Sequence, residues 1–190
     1  MFTSLDIGIS LNDLNAINWK TCKEPQWNEL EQQPLSIYQE SSGGENWNSP
    51  NHKDSNNRVP YSLKGYECRN NNSVIQTGGR ASPSFKLKTD SGKVSVFVEN
   101  FWQNCPKSRA IDNDQVNIGL FPGQFPDDLE LQPGEKKTHT FYLDFSNTPH
   151  AIEPMKPTSE ITLNPPWVDH PSTFKYVRIY NSQRHTYTVI

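Results

Sequence analysis

This chain of 190 residues is short of the features that assign a sequence to a class at sight. It has no apolar run of the ~18 residues that a membrane-spanning helix needs, so no membrane span is expected. It has no cluster of Lys and Arg. Its net charge of -3 and pI near 5.9 argue against a nucleic-acid partner, which calls for a basic patch or stripe. No HExxH, no GxSxG and no phosphate-cradling loop is present, and His52, His139, His150, His170 and His185 are scattered. Cys22, Cys68 and Cys105 form no CxxC pair, which argues against a closed zinc site. One disulfide plus a free thiol, or three reduced thiols, both fit, so the compartment stays unassigned. Helix-length periodicity and internal repeats are missing too.

Apolar residues are also scarce, at 33%, and the mean hydropathy is -0.80. A small core carrying long polar loops fits these values better than a helical domain. The length suits one domain, 1–190, with enough chain to bury a core without staples. The N-terminal MFTSLDIGISLNDLN has neither the positive flank nor the apolar stretch of a secretion signal, and it enters strand-like alternation at once. A mature form or a piece cut from a larger protein is expected, with the piece favoured.

What is present is the period-two signature of strands. Val94, Val96 and Val98 alternate with Ser95, Phe97 and Glu99; Val116, Ile118 and Leu120 share a face; and Thr138 to Phe145 alternates again. Pro122-Gly123, Pro126-Asp127-Asp128 and Pro133-Gly134 supply turns between the last two runs. Upstream, Leu5, Ile7, Ile9 and Leu11 mark a first strand. In 12–31, Pro25 forbids one continuous helix, and a short strand with an extended loop is expected around the anchors Trp19, Trp27 and Leu30. Strands are also expected over 34–40, over 61–69 with an interruption at Gly65, over 73–77, over 83–89 and over 174–180. Turns every 8–12 residues are the spacing of a sandwich or barrel. The fold class predicted is therefore all-β, an antiparallel β-sandwich with long polar loops. The proline-dense stretch 146–171 is expected to pack on it, with Trp167 as an anchor.

Three polar clusters are candidates for binding. Glu45, Asn46, Trp47 and His52 lie in SSGGENWNSPNHKDSNNRVP, a run of loop formers longer than the ~12–15 residues usual for a structureless connection. Arg80 follows Gly78-Gly79, where missing side chains would let the backbone approach a ligand. Trp102, Gln103 and Asn104 follow the central strand. Aromatic faces with amides, a carboxylate and a guanidinium suit a carbohydrate, and the arginine fork suits an acidic one. The plainer alternative makes Trp102 core, pairs Arg80 with a surface acid and has Trp47 pin its own loop. His139, mid-strand, is expected to be a satisfied structural histidine. Asp112, Asp114, Asp127 and Asp128 fall in turns where Asp is common, so no metal or cofactor is assigned. Cys105 shows no base or pKa-lowering neighbour that would make it a nucleophile. The sequon Asn71-Asn72-Ser73 would matter in a glycosylating host.

The segments QESSGGENWNSPNH, LKGYECR with TGGRASP, VENFWQNCPKSRAI, IGLFPGQF and LQPGEKKTHTFYLDF, in this order, resemble the central β-sandwich domain of the YetA-like proteins, which include exo-rhamnogalacturonan lyases. The resemblance spans about Pro34 to Phe145. It implies a sandwich standing beside a barrel-like domain and an α/α toroid, and β-elimination on a backbone of rhamnose and galacturonic acid. No helical segment here could build that toroid, so no catalytic residue is carried over. The function expected is a noncatalytic module that binds an acidic polysaccharide or oligosaccharide, or braces a neighbouring catalytic domain. Its binding residues would be Glu45, Asn46, Trp47, His52, Arg80, Trp102 and Gln103. The alternatives are a structural or protein-interaction domain without a sugar ligand, and a fragment of a polysaccharide lyase.

Overall fold

A computed structural model describes residues 3–21, 26–30, 33–54, 56–90, 92–128 and 136–145, together with the backbone of Val177–Asn181 and Arg184–Val189. The proline-dense stretch 146–171, Trp167, Cys22, His150 and His170 lie outside the described residues. Among the described residues there is no helix, hence none long and apolar enough to cross a membrane.

The strands are β1 (Leu5–Ser10), β2 (Leu14–Lys20), β3 (Asn28–Leu30), β4 (Leu35–Gln39), β5 (Tyr66–Asn70), β6 (Ser73–Gly78), β7 (Ser84–Thr89), β8 (Gly92–Val98), β9 (Lys107–Asp112), β10 (Gln115–Phe121), β11 (His139–Asp144), β12 (Val177–Asn181) and β13 (Arg184–Val189). They form two sheets, a six-stranded one in the order β1-β10-β9-β4-β5-β6 and a seven-stranded one in the order β12-β13-β11-β8-β7-β2-β3. All pairings are antiparallel and neither sheet closes on itself, so the all-β sandwich expected from the alternation is the fold.

The core is built from alternate residues of facing strands. The six-stranded sheet turns Leu35, Ile37, Cys68, Ile111, Val116, Ile118 and Leu120 inward, and the seven-stranded sheet turns Ile17, Trp19, Phe85, Leu87, Val94, Val96, Val98, Phe141 and Leu143 to meet them. Turn residues set the registers. Asp112 pairs with Gln115 across Asn113 and Asp114, both left-handed at φ 47 and 60, the backbone of a type I′ hairpin that Asn and Asp tolerate.

One strand goes beyond the expectation. Lys107–Asp112 lies centrally in the six-stranded sheet between β10 and β4, although KSRAID carries charges where a strand would show apolar residues. Lys107, Arg109 and Ile111 occupy its inward positions and are fully buried. Arg109 is the largest of these side chains. Its guanidinium crosses to the opposite sheet, donating to the carbonyls of Pro83 and Val96 at 2.7 Å each, and stacks 4.1 Å over Phe85. Burial pulls its pKa down to about 9, so it stays charged at neutral pH. Lys107 donates to the carbonyl of Leu120 within the six-stranded sheet. Two buried basic side chains thus replace apolar packing on the inner face of one strand.

Candidate functional site

The loop that follows β4 is tied off at its base. Gln39, Glu40 and Ser41 close β4 and are all buried. The Glu40 carboxylate accepts from the amides of Ser62 and Leu63, from Ser62 Oγ at 3.0 Å and from Tyr38 Oη at 3.1 Å. Ser41 Oγ donates to the carbonyl of Leu63 at 2.7 Å and accepts from the amide of Gly65 at 2.8 Å. Gln39 donates to the carbonyls of Ser41 at 2.6 Å and Gly79 at 2.8 Å, and accepts from the amide of Ala81 at 2.8 Å. Residues 42–61 therefore leave and re-enter the sandwich at one point, as an Ω-loop does.

Within the loop the backbone is turned on itself. The amide of Ser49 donates to the carbonyl of Asn46 at 3.1 Å, and that of His52 to the carbonyl of Ser49 at 2.9 Å. Asp54 accepts from the amides of Asn56 at 2.9 Å and Arg58 at 2.7 Å, and pairs with the Arg58 side chain at 3.2 Å. The Arg58 amide, with the guanidinium beside it, holds the Asp54 carboxyl below its ordinary range.

The glycines act differently from the expectation. Gly43 has φ +67, and a Cβ there would lie 1.9 Å from the carbonyl oxygen of Gly79. Gly65, with φ +79, leaves only 2.1 Å to the carbonyl oxygen of Gly78. Gly43 and Gly65 thus press the loop's own backbone against Gly78-Gly79, while the missing side chain of Gly78 leaves room for the Tyr66 ring. Gly65 stands just before β5 as its entry, not as an interruption within it. The consequence for the site is direct: the loop's first turn is pressed against the segment that carries Arg80. A Cβ on Gly44 would stand 3.6 Å from an Arg80 terminal nitrogen, and Arg80 Nε donates to the carbonyl of Ser42 at 3.4 Å.

Trp102 reaches the same place from the other sheet. The β8–β9 connection begins with Asn100 at φ 52 and closes with the Asn104 amide donating to the Asn100 carbonyl at 2.9 Å. That turn sends Phe101 into the core and leaves Trp102 half-buried and Gln103 exposed, so the core aromatic is Phe101, not its neighbour. The exposed Arg80 lies over Trp102 with its guanidinium carbon 4.2 Å from the ring centre.

The expected site residues therefore fall into two groups. Arg80 and Trp102 form a stacked pair at the loop's first turn, with exposed Glu45 and Asn46 next in the chain and half-buried Trp47 after them. His52 instead packs edge-on against Tyr61 at 5.9 Å, and Tyr61 meets Phe125 of the β10–β11 connection at 5.8 Å. Burial, then Cys105 and Glu40, raise the pKa of Tyr61. The arrangement offers an exposed cation supported by an aromatic face beside the first turn of the loop.

A second polar group lies inside the sandwich. His139 is buried and meets Phe121 edge-on at 5.0 Å. Lys107 and Lys137 lie 5.2 and 5.1 Å over the same ring. Burial and Lys137 bring Lys107 down to about 7, and burial followed by the two lysines brings His139 down to about 3. Neither ring nitrogen of His139 has a hydrogen-bond partner, which corrects the expectation of a satisfied histidine. Cys105 is a free thiol whose pKa is raised by burial, and buried Cys68 is pushed up to about 12, so both stay protonated at neutral pH. Asp114 is engaged in its turn, accepting from Gln33 Nε2 at 3.3 Å. Among the described residues no group of three or more His, Cys, Asp or Glu could hold a metal ion.

Comparison with protein-family models, curated proteins and solved structures finds no match.

Proposed function

We propose that this chain is a noncatalytic β-sandwich module, related to the central domain of the rhamnogalacturonan lyases, that binds an acidic saccharide on the rim formed by the Ω-loop and the β8–β9 turn. One observation carries this: the exposed Arg80 guanidinium stacked 4.2 Å over Trp102. Stacking holds the planar fork at a fixed place and lowers the entropy lost when it takes up a carboxylate. Glu45, Asn46 and Gln103, all exposed, supply hydrogen-bonding groups for hydroxyls, and Trp47 supplies a further aromatic face. A uronate in a pectic backbone has the negative charge and the apolar sugar face that such a rim complements.

The test is a titration of the chain with rhamnogalacturonan oligosaccharides, read by tryptophan fluorescence, with neutral oligosaccharides as control. A saturable change with the acidic sugar alone is expected, weakened on the order of tenfold or more in Arg80→Ala, since a charge-assisted hydrogen bond contributes ~1.5–3 kcal/mol. Equal responses to acidic and neutral sugars, or none to either, would sink the proposal.

A second reading, a bracing or protein-interaction domain, draws on Val74 and Ile75. Each is 47% exposed, and they sit together at the irregularity where edge strand β6 loses register with β5. Adjacent exposed apolar residues on a sheet edge offer a contact to a neighbouring domain.

A further inference from the structure

The cluster around Phe121 is assembled from both sheets. On β9, Lys107 shares the inward parity of Arg109 and Ile111; on β11, His139 shares that of Phe141 and Leu143. The two side chains therefore enter the interior from opposite sheets and meet at one ring, with Lys107 Nζ 5.2 Å and the imidazole 5.0 Å from its centre. Lys137, two residues before His139, brings a third basic group to 5.1 Å over the same ring. Lys137 is half-buried, whereas Lys107 and His139 are buried.

Among the described residues, Lys107 donates to the uncharged carbonyl of Leu120 and pairs with no carboxylate, although an ammonium has three N–H groups to place. His139 has a partner for neither nitrogen, although a neutral imidazole carries one N–H. After burial itself, the groups acting on Lys107 are Lys137 and Cys105, and those acting on His139 are Lys107 and Lys137; no carboxylate is among them. Glu40, just past the end of β4, gives its carboxylate to Ser62, Leu63 and Tyr38. Gln39, opposite Lys107 in the register, is engaged with Ser41, Gly79 and Ala81. Lys137 makes further contacts of its own and adds only its charge nearby.

A buried amine without a counter-charge thus stands beside a buried imidazole N–H without an acceptor. Buried donors and charges are ordinarily satisfied, by protein groups, water or an ion. One anion would serve both: it supplies the charge that Lys107 lacks and the acceptor that His139 lacks, through charge-assisted hydrogen bonds. Lys107 and His139 are 0 and 3% exposed, which limits the occupant to a small ion. The half-buried Lys137 and Cys105 mark the side on which the cluster meets solvent.

We propose that Lys107 and the neutral His139 N–H hold a small inorganic anion of the chloride type inside the sandwich, beside Phe121 and within the field of Lys137. The site is independent of the saccharide rim. Only the ionised ammonium attracts the anion, so binding carries a pH signature. With Lys107 titrating at about 7, apparent affinity should be roughly fiftyfold weaker at pH 9 than at pH 7 and change little from pH 7 to pH 6.

The experiment is a thermal melt of the full chain in which sodium chloride replaces sodium gluconate at constant ionic strength, since an ion bound only by the folded state raises the melting temperature. Wild type should gain stability with chloride in a saturable way at pH 7 and hardly at all at pH 9. It should also broaden the chlorine-35 magnetic resonance line at pH 7. Lys107→Met should lose both effects. His139→Phe, which keeps the amine, should bind chloride on the order of tenfold or more weaker, and it tests the site even where Lys107→Met does not fold. Lys93→Gln, an exposed lysine on β8, should respond as wild type does. A wild type indifferent to the exchange, a response that ignores pH, one that survives in Lys107→Met or is undiminished in His139→Phe, or one lost equally in Lys93→Gln overturns the site.

Discussion

His139 should make this sandwich acid-labile, and a single substitution should isolate the effect. The imidazole is 3% exposed, packed edge-on against Phe121, and has no partner for either nitrogen. Its folded pKa is lowered from 6.5 to about 3. With the folded value depressed, the unfolded chain binds a proton that the folded chain refuses between those two pH values. Stability therefore falls as pH drops through 6.5, and the loss levels off below about 3. The full window corresponds to roughly 5 kcal/mol, of which about 2 kcal/mol is lost between pH 7.5 and pH 5. Other groups titrate over the same range, so the informative quantity is a difference between proteins. His139→Phe keeps an aromatic ring against Phe121 and removes both unpartnered nitrogens. Urea denaturation of the two proteins at pH 7.5 and pH 5 should show the variant gaining about 2 kcal/mol on wild type at the lower pH, a relative midpoint shift of roughly 1 M. A stability difference that is the same at both pH values would refute the reasoning, since a histidine already hydrogen-bonded or solvated would give that result.

Lys107 should act with the same sign at higher pH: its folded pKa of about 7 lies below the ordinary 10.5, so stability should rise by roughly 2 kcal/mol from pH 7 to pH 9 in wild type relative to Lys107→Met. Denaturation curves of both proteins at the two pH values check this, and parallel pH dependence would refute it. Arg109→Ala should cost roughly 3–5 kcal/mol, because it leaves a cavity and strands the carbonyls of Pro83 and Val96; a loss below about 1 kcal/mol in a thermal or urea melt would show that the cross-sheet bonds contribute little. Gly43→Ala places a methyl group 1.9 Å from the Gly79 carbonyl oxygen at φ +67, so the loop's first turn must shift. Amide exchange at Ser62, Leu63 and Gly65 should speed up by on the order of tenfold or more while the core strands stay protected, and unchanged exchange there would contradict the packing described.

The strands that the sequence revealed are those whose inward residues are apolar. Leu5, Ile7 and Ile9, Val94, Val96 and Val98, and Val116, Ile118 and Leu120 alternate with polar neighbours, and burial enforces that period directly. Strand β9 was hidden because two of its inward residues are Lys107 and Arg109, and a charge in a sequence normally signals solvent. The long loop was legible from its Asn, Ser, Gly and Pro content. Its closure was not, because Glu40 reads as the last polar residue of a strand and only folding brings Ser62 and Leu63 to its carboxylate. Arg80 and Trp102 were each singled out, yet nothing local says that they stack, since they lie in different connections. Trp27 read as an apolar anchor, and the two lysines over it became visible only once register placed Lys20 and Lys86 on one face.

The clasp formed by Gln39, Glu40 and Ser41 separates two rates of change in such a molecule. A loop whose ends are already held together can be lengthened, shortened or rewritten at little cost to the body that carries it, because closure entropy grows only slowly with length. Residues 42–61 can thus be exchanged as a cassette, while β4, β5 and the Gly78-Gly79 step stay as they are. Any replacement would have to keep a glycine at position 43, because its backbone is pressed against Gly79. The fold in this sense is a socket, and only the first turn of what is plugged into it is dictated by the body.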